Sequence, residues 1–346
     1  MRLLRRILGA AVIVAALLVV AGWLILRASL PDLDGAIAVT GIDRPATIER
    51  DANGIPVITA STRQDLAFAT GFAHGQDRFF QMDLIRRQAA GELSELVGAA
   101  AIATDKRHRF HRFRVRARAV YEAATPTERR LIEAYAAGVN AGLASLGARP
   151  FEYLVLGAEP RPWDPLDSLL VVYSMYMQLN DSRATREVRR GLVHRVLPAE
   201  VYAWMYPQGT SWDAPIMGGP RAIPPIPGAD VYSLRDVPDD APAANEIGRY
   251  PLRGSNNWAV AGTLTASGRA LVSNDMHLGH STPNIWYQAR LRATAEEPVD
   301  VAGVTLPGSP FVISGSNTRV AWGYTNSYGD WTDAVLLRPG EAPGTY

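Results

Sequence analysis

The chain contains no cysteine, so any nucleophile it carries is built on oxygen or nitrogen, and thiolate metal sites and disulfides are excluded. A serine hydroxyl is a weak nucleophile until a base takes its proton. Where no His or Lys adjoins it, that base can be the serine's own α-amino group, whose unperturbed pKa is about 8. The arrangement requires the serine to be the first residue of a chain. Ser255 lies inside the run Arg253-Gly254-Ser255-Asn256-Asn257-Trp258, where a stretch rich in Pro, Gly, Ala and Asp meets a segment that alternates apolar and polar residues. Gly254 removes side-chain hindrance to attack by the Ser255 hydroxyl on the preceding carbonyl and permits strained backbone there, so the peptide could cut itself. On residue types alone, Gly-Ser-Asn-Asn also reads as a simple loop turn.

Other side chains with chemical potential are His277, and Asp330 and Asp333 with Thr332 between them. A histidine at a strand end can orient a hydroxyl or can merely cap the surface. Two aspartates three apart offer hard oxygen ligands or cap a turn. Lys and Arg total 35 against 34 Asp and Glu, a net charge of +1, so no global field recruits nucleic acid. The basic run Lys106 to Arg118 reads as a solvated helix face.

The elements that must hold these residues follow from the pattern. Arg2, Arg5 and Arg6 precede an uncharged apolar run from Ile7 to Leu26 that stops at Arg27, about the length needed to span a bilayer. This is an export signal, with retention as an anchor favoured over cleavage, and it places the remainder outside the cytoplasm. Residues 46–58 form two β-branched stretches around Asn53-Gly54, a hairpin. Segments 64–97, 127–146 and 166–197 have helical periodicity, with Gly91 and Gly98 as stops and Pro at the entry of the latter two. From Pro207 to Arg253 the periodic signal vanishes into a spacer. Strand-like runs follow at 257–272, 285–291, 299–304, 311–314 and 320–325. The division expected is an N-terminal anchor at 1–30, a mainly helical region at 31–206, a linker and spacer at 207–254, and a sheet-rich region from 255 to 346.

Four ordered motifs carry a resemblance. Gly71-Phe-Ala-His74-Gly75-Gln-Asp77-Arg78-Phe-Phe-Gln-Met-Asp83, running on to Gly91-Glu92-Leu93, is the first; Gly254-Ser255-Asn256-Asn257-Trp258 is the second. Asn274-Asp275-Met276-His277-Leu278 and the segment 317–333, with Trp322-Gly323-Tyr324-Thr325-Asn326, complete the set. Together they resemble the penicillin acylase family of N-terminal nucleophile hydrolases from about Ala46 onward. The fold implied is α+β, an αββα four-layer sandwich, incomplete here, with a mainly helical α-chain. The function implied is an amidohydrolase precursor that cleaves itself between Gly254 and Ser255 and then hydrolyses N-acyl amides through an acyl-enzyme. The substrate class is a β-lactam side-chain amide or an N-acyl homoserine lactone.

Position by position, the resemblance makes Ser255 nucleophile and base, the backbone N–H of Asn326 an oxyanion donor, and His277 a residue that orients or polarises Ser255. It makes Met177, Asp181 and Leu278 substrate-binding, although Met177 on residue type alone is more often ordinary core. It assigns a structural Ca2+ to Glu187, Asp330, Thr332 and Asp333. The partners implied are the small-molecule substrate, the chain's own processed α- and β-chains as a heterodimer, and the membrane; no organic cofactor and no nucleic acid are expected. Members of this family continue well past the position of Tyr346. A truncated, inactive extracytoplasmic binding module of the same fold is therefore the alternative, and a Ser-His hydrolase using His277 or His74 ranks third, because no Gly-x-Ser-x-Gly elbow surrounds Ser255.

Overall fold

The structure is a computed structural model that describes residues 2–181, 184–215, 217–233, 235, 254–295, 298–327, 329, 331–342 and 344. Two compact units result, one joining residues 1–177 to 254–326 and the other joining 178–253 to 327–346. In the first unit lie helices α1 (Arg2–Ala28), α2 (Arg63–Ala90), α3 (Ser94–Val97), α4 (Ile102–Arg109), α5 (Phe113–Ala123), α6 (Pro126–Ala144) and α7 (Phe151–Leu156), and most of α8 (Pro165–Leu179). The strands are β1 (Thr47–Arg50), β2 (Pro56–Ala60), β3 (Ser255–Val260), β4 (Leu271–Met276), β5 (Tyr287–Ala293), β6 (Val299–Thr305), β7 (Val312–Ser316) and β8 (Ala321–Trp322). The second unit contributes α9 (Thr185–Val196) and α10 (Ala199–Met205).

Six strands form one sheet in the order β1-β2-β5-β6-β7-β8, and β3 pairs with β4 in a second. All pairings are antiparallel except β2 with β5, where Val57 to Ala60 lie beside Arg290 to Ala293. Strand β5 shows why the sheet is layered: Tyr287, Ala289, Leu291 and Ala293 are buried while Gln288, Arg290 and Arg292 between them are exposed. The buried set packs with Ile58, Leu66, Ala69 and Ala73 of β2 and α2. The opposite face, with Gln288, Arg290, Ala302 and Val304, lines a cleft of about 700 Å³ shared with Val272, Asn274 and Met276 of β4. Helix, six-stranded sheet and two-stranded sheet thus succeed one another as layers.

Helix α2 begins at Thr62, whose hydroxyl accepts the Asp65 N–H, and ends at Gly91 in the left-handed conformation at φ 70°, where a side chain would meet the Asp105 carbonyl at 2.6 Å. Its contact with α6 is made backbone to backbone. A Cβ on Gly71 or Gly75 would stand 2.2 or 2.3 Å from the carbonyl oxygens of Tyr135 and Val139, and one on Gly138 or Gly142 would stand 1.9 or 2.1 Å from those of Phe68 and Phe72. Each helix therefore carries glycines four apart on its contact face, which lets the two axes approach more closely than any side chain would allow. Helix α6 starts with a reciprocal capping box between Thr125 and Glu128 and has Pro126 in its first turn.

The segment 166–197, expected as one helix, is two, α8 and α9. Asp181 ends the run by local competition for backbone donors: its carbonyl accepts from Ala184 N, its carboxylate accepts from Arg186 N at 2.7 Å, and Ala184 takes φ 49°. Helix α1 includes a stretch, Arg5–Ala28, long and apolar enough to cross a membrane, with a mean hydropathy of 2.7 and no burial against the rest of the chain. Within the expected spacer 207–254, residues 207–215, 217–233 and 235 contain no strand or α-helix, and residues 236–253 lie outside the described residues.

Candidate active site

Strand β3 begins at Ser255, which pairs with Met276 at the end of β4, so the Gly254–Ser255 bond sits at the mouth of the hairpin opposite His277. The backbone N–H of His277 donates to the Gly254 carbonyl at 3.1 Å, extending the ladder by one rung onto the bond in question. The imidazole covers the same glycine: a Cβ on Gly254 would lie 3.0 Å from His277 Nδ1. At the other side of the ring, Nε2 is 3.0 Å from Asp275 Oδ2 and 3.3 Å from Asn256 Nδ2. With Nε2–H donating to the Asp275 carboxylate, Nδ1 is left as an acceptor on the side of Gly254. Asp275 and His277 are both exposed, at 65% and 46%, so water competes with their pairing.

Asn274 ties a third segment to this corner. Its amide donates to the carbonyls of Asn256 at 3.3 Å and Tyr324 at 2.9 Å, and its Oδ1 accepts from Tyr324 N at 3.2 Å. Gly323 allows the approach, because a Cβ there would lie 2.6 Å from Asn274 Cβ. One side chain thus spans the residue after Ser255 and a residue two before Asn326. Ser255 and His277 thus lie on one hairpin and Asn326 follows two residues after the tied Tyr324, with Ser255 and Asn326 half-buried. The clamp role of Asn274 is not legible from composition; its only signal is its place in the Asn274-Asp275-Met276-His277 run.

The other predicted residues are distributed. Leu278, half-buried, follows His277, and its N–H donates to the Met276 carbonyl at 2.8 Å. Met177 packs at the edge of a cluster of Phe113, Leu166 and Leu170. In the second unit, the Thr332 hydroxyl donates to the Asp181 carbonyl at 2.7 Å and Ala334 N donates to the Glu187 carboxylate at 3.4 Å. Glu187, Thr332 and Asp333 are therefore drawn to one short stretch beside the start of α9, while Asp330 lies outside the described residues. Among the described residues no group of three or more His, Asp or Glu side chains gathers at one point.

His74 is no partner for a serine. It is fully buried, with Nδ1 2.7 Å from the Tyr135 hydroxyl and Nε2 3.0 Å from Thr305 Oγ1. Thr305 donates its proton to the Tyr287 carbonyl and Tyr135 accepts from Gly308 N, so the network closes with a neutral imidazole protonated on Nε2. Burial, helped by the charge of Arg78, lowers its pKa to about 3. The rest of the motif on α2 is likewise committed to structure. Arg86, fully buried, bonds Asp83 at 2.7 Å, Asp167 at 2.5 Å and the carbonyls of Pro162 and Arg161, and Asp77 accepts from Arg50 and the Tyr287 hydroxyl. Glu92 loses solvation, but hydrogen bonds from Arg114 and Arg161 outweigh this and hold it at about 2.

The chain is similar to several known proteins. The acyl-homoserine lactone acylase QuiP of Pseudomonas aeruginosa is 33% identical over 317 residues, 89% of this chain and 36% of that protein. The penicillin acylase 2 proenzyme of a Pseudomonas species (strain SE83) is 34% identical over 321 residues, 90% of this chain and 40% of that protein. A solved penicillin G acylase from Alcaligenes faecalis is 23% identical, with a TM-score of 0.42 over 51% of this chain and 98% of that one. The chain thus spans 36–40% of the length of the two Pseudomonas relatives. The family profile described as penicillin amidase matches residues 45–346, which takes in the glycine-packed helix pair, the Ser255 hairpin and the segment after Trp322, and the chain belongs to that family.

Proposed function

We propose that this chain is the α-chain and the opening of the β-chain of an acylase precursor, with Ser255 as the nucleophile released by self-cleavage. The observation that carries the reading is the His277 N–H donating to the Gly254 carbonyl at 3.1 Å, at a bond whose next residue carries a hydroxyl. That donor withdraws electron density from the carbonyl under attack and stabilises the oxyanion that follows. Ser255 Oγ adds to the Gly254 carbonyl carbon, the Gly254–Ser255 C–N bond breaks, and the departing nitrogen takes the hydroxyl proton. Water then hydrolyses the resulting ester, leaving a Gly254 carboxylate and a free Ser255 amine. In turnover that amine accepts the hydroxyl proton as Oγ attacks the substrate carbonyl, the substrate's amine leaves with a proton, and water hydrolyses the acyl-enzyme. Asn326 N–H serves as one oxyanion donor, and His277, oriented by its contact with Asp275, faces the reacting carbonyl.

The substrate class is an N-acyl amide, a β-lactam side-chain amide or an N-acyl homoserine lactone; the names of the two relatives support these two groups. Met177, Asp181 and Leu278 are proposed to contact it. Glu187, Asp330, Thr332 and Asp333 supply only hard oxygen donors, which suits Ca2+ rather than a softer metal, and a bound ion would fasten the 330–333 segment. The processed α- and β-chains remain together as a heterodimer. Helix α1 holds the protein to the inner membrane with the catalytic part on the extracytoplasmic side.

Intact mass measurement on the complete gene product tests the mechanism. Two chains are expected, the second beginning at Ser255, and Ser255→Ala should give one chain and no turnover. A complete protein that hydrolyses a chromogenic N-acyl substrate while remaining a single chain would refute it. A processed or unprocessed protein that binds such a compound without turnover would favour a binding module instead.

A further inference from the structure

We infer that the α4–α5 corner is a peripheral lipid-binding surface that seats the protein against an anionic bilayer. Between Lys106 and Tyr121 the sequence contains no Asp or Glu, while Lys106, Arg107, Arg109, Arg112, Arg116 and Arg118 are all exposed. Among the described residues none of these six has a carboxylate within ion-pair distance; the polar contacts they make are to neutral groups, Arg107 to the Thr104 hydroxyl, Arg109 to the Gly91 carbonyl and Arg116 to the His111 carbonyl. The one basic residue of the run that is neutralised, Arg114, points inward to Glu92 and Asp167. Asp105, the nearest acid in sequence, is buried and spent on the N–H groups of Leu93 and Ser94.

At the apex between the two helices sits Phe110, 86% exposed, with Val115 and Ile102 also open to solvent on the flanking helices. A large aromatic side chain held out beyond a buried helix face has no role in the core, which is supplied here by Phe113 and Ala117 on the opposite side of α5. Basic side chains around a projecting apolar tip match a lipid interface, where the cations meet phosphate headgroups and the ring enters the acyl boundary. A polynucleotide would answer to the charge but leave the ring without a partner, since no flat row of aromatics accompanies it. The inference rests on the reading of α1 as a bilayer-spanning helix, which would keep this corner within reach of a membrane surface.

The absence of native cysteine makes the test direct. The full chain with Phe110→Cys, labelled with an environment-sensitive fluorophore, is reconstituted into phosphatidylcholine vesicles with and without phosphatidylglycerol. Expected are a blue shift and several-fold quenching by spin-labelled lipid in the anionic vesicles, both reversed by raised salt and by the triple change Arg107→Glu, Arg112→Glu, Arg116→Glu. Aqueous emission in every vesicle while the chain co-floats would overturn the surface and leave the α1 reading intact; failure to co-float would overturn α1 and the inference together. A response to heparin or oligonucleotide without one to vesicles would assign the patch to polyanions, against the proposal.

Discussion

The α2–α6 pair carries the first of the four motifs and the β3–β4 hairpin the second and third, yet the two regions are built on opposite principles. In the helix pair the buried polar side chains are matched among the described residues: His74 is closed between Tyr135 and Thr305, Arg86 between two aspartates and two carbonyls, and four glycines bring backbone onto backbone. In the hairpin, Asn256, Asn257, Trp258 and Ala259 are exposed, and the contacts of His277 and Asn274 are made in water's presence. Motif residues in the first region maintain geometry; in the second they are left chemically available. A histidine is structural or reactive according to whether both ring nitrogens already have fixed partners, and only the fold supplies that information.

The sharpest way to break this contrast is to add one methyl group to each region. Gly138→Ala places a Cβ 1.9 Å from the Phe68 carbonyl oxygen in a contact between two long helices, and neither backbone can yield locally. Loss of at least ~3 kcal/mol is expected, seen as little soluble protein or a large fall in Tm. Gly254→Ala meets only the movable His277 ring at 3.0 Å, so stability should change by less than ~1 kcal/mol while the proposed self-cleavage slows. If the two variants were equally destabilised, the distinction between an over-determined and an available region would fail.

Titration separates the regions next. A buried neutral histidine whose folded pKa is about 3, against the ordinary 6.5, contributes stability that is complete above pH 6.5 and is lost as pH falls toward 3. The upper bound is on the order of 4–5 kcal/mol from the size of that shift. Glu92, held at about 2 against its ordinary 4.5, adds a loss confined to the window below 4.5. Between pH 6.5 and 4.5 the His74 contribution therefore stands clear of that of Glu92. His74→Gln should lower stability by ~1–3 kcal/mol at neutral pH, because the Tyr135 and Thr305 hydroxyls lose part of their network, and should flatten the pH dependence in that window. Denaturant unfolding at a series of pH values reads both effects; an unaltered slope would place the acid sensitivity elsewhere.

The first hairpin and the long helices were legible because their signals are local: the Asn53-Gly54 turn, the Pro at the entry of α6 and Gly91 as a stop all act within a few residues. The pairing of β2 with β5, separated by more than two hundred residues, has no local signal, since parallel strands are matched only by the core they share. The sequence marks Asp181 as a substrate contact by resemblance alone and carries no sign of its second task, which is to accept the Arg186 N–H beside the turn into α9. The Ser255 hairpin was legible as a motif, but the backbone bond from His277 to Gly254 depends on the register of β3 with β4, which alternation alone does not fix. Glycine spacing in α2 and α6 was visible letter by letter, yet its meaning required knowing that the two helices face each other.

Asn274 makes the finest cut between architecture and chemistry. Its side chain joins the carbonyl of Asn256 to both backbone groups of Tyr324, so it fixes where the segment leading to Asn326 runs beside β3, the strand of the proposed nucleophile. These bonds are solvent-accessible, and exchanging them for water changes folding stability by no more than ~1 kcal/mol. The oxyanion that the Asn326 N–H is proposed to meet is far less tolerant, because a donor displaced from its position loses most of its stabilisation, and removal of one such donor costs about 10²–10³ in rate. Asn274→Ala in the complete protein should therefore leave Tm nearly unchanged and lower kcat by at least ~10-fold with a smaller change in KM. A loss of stability comparable to that of the buried variants would show instead that Asn274 belongs with the architecture of the helix pair and not with the reactive corner.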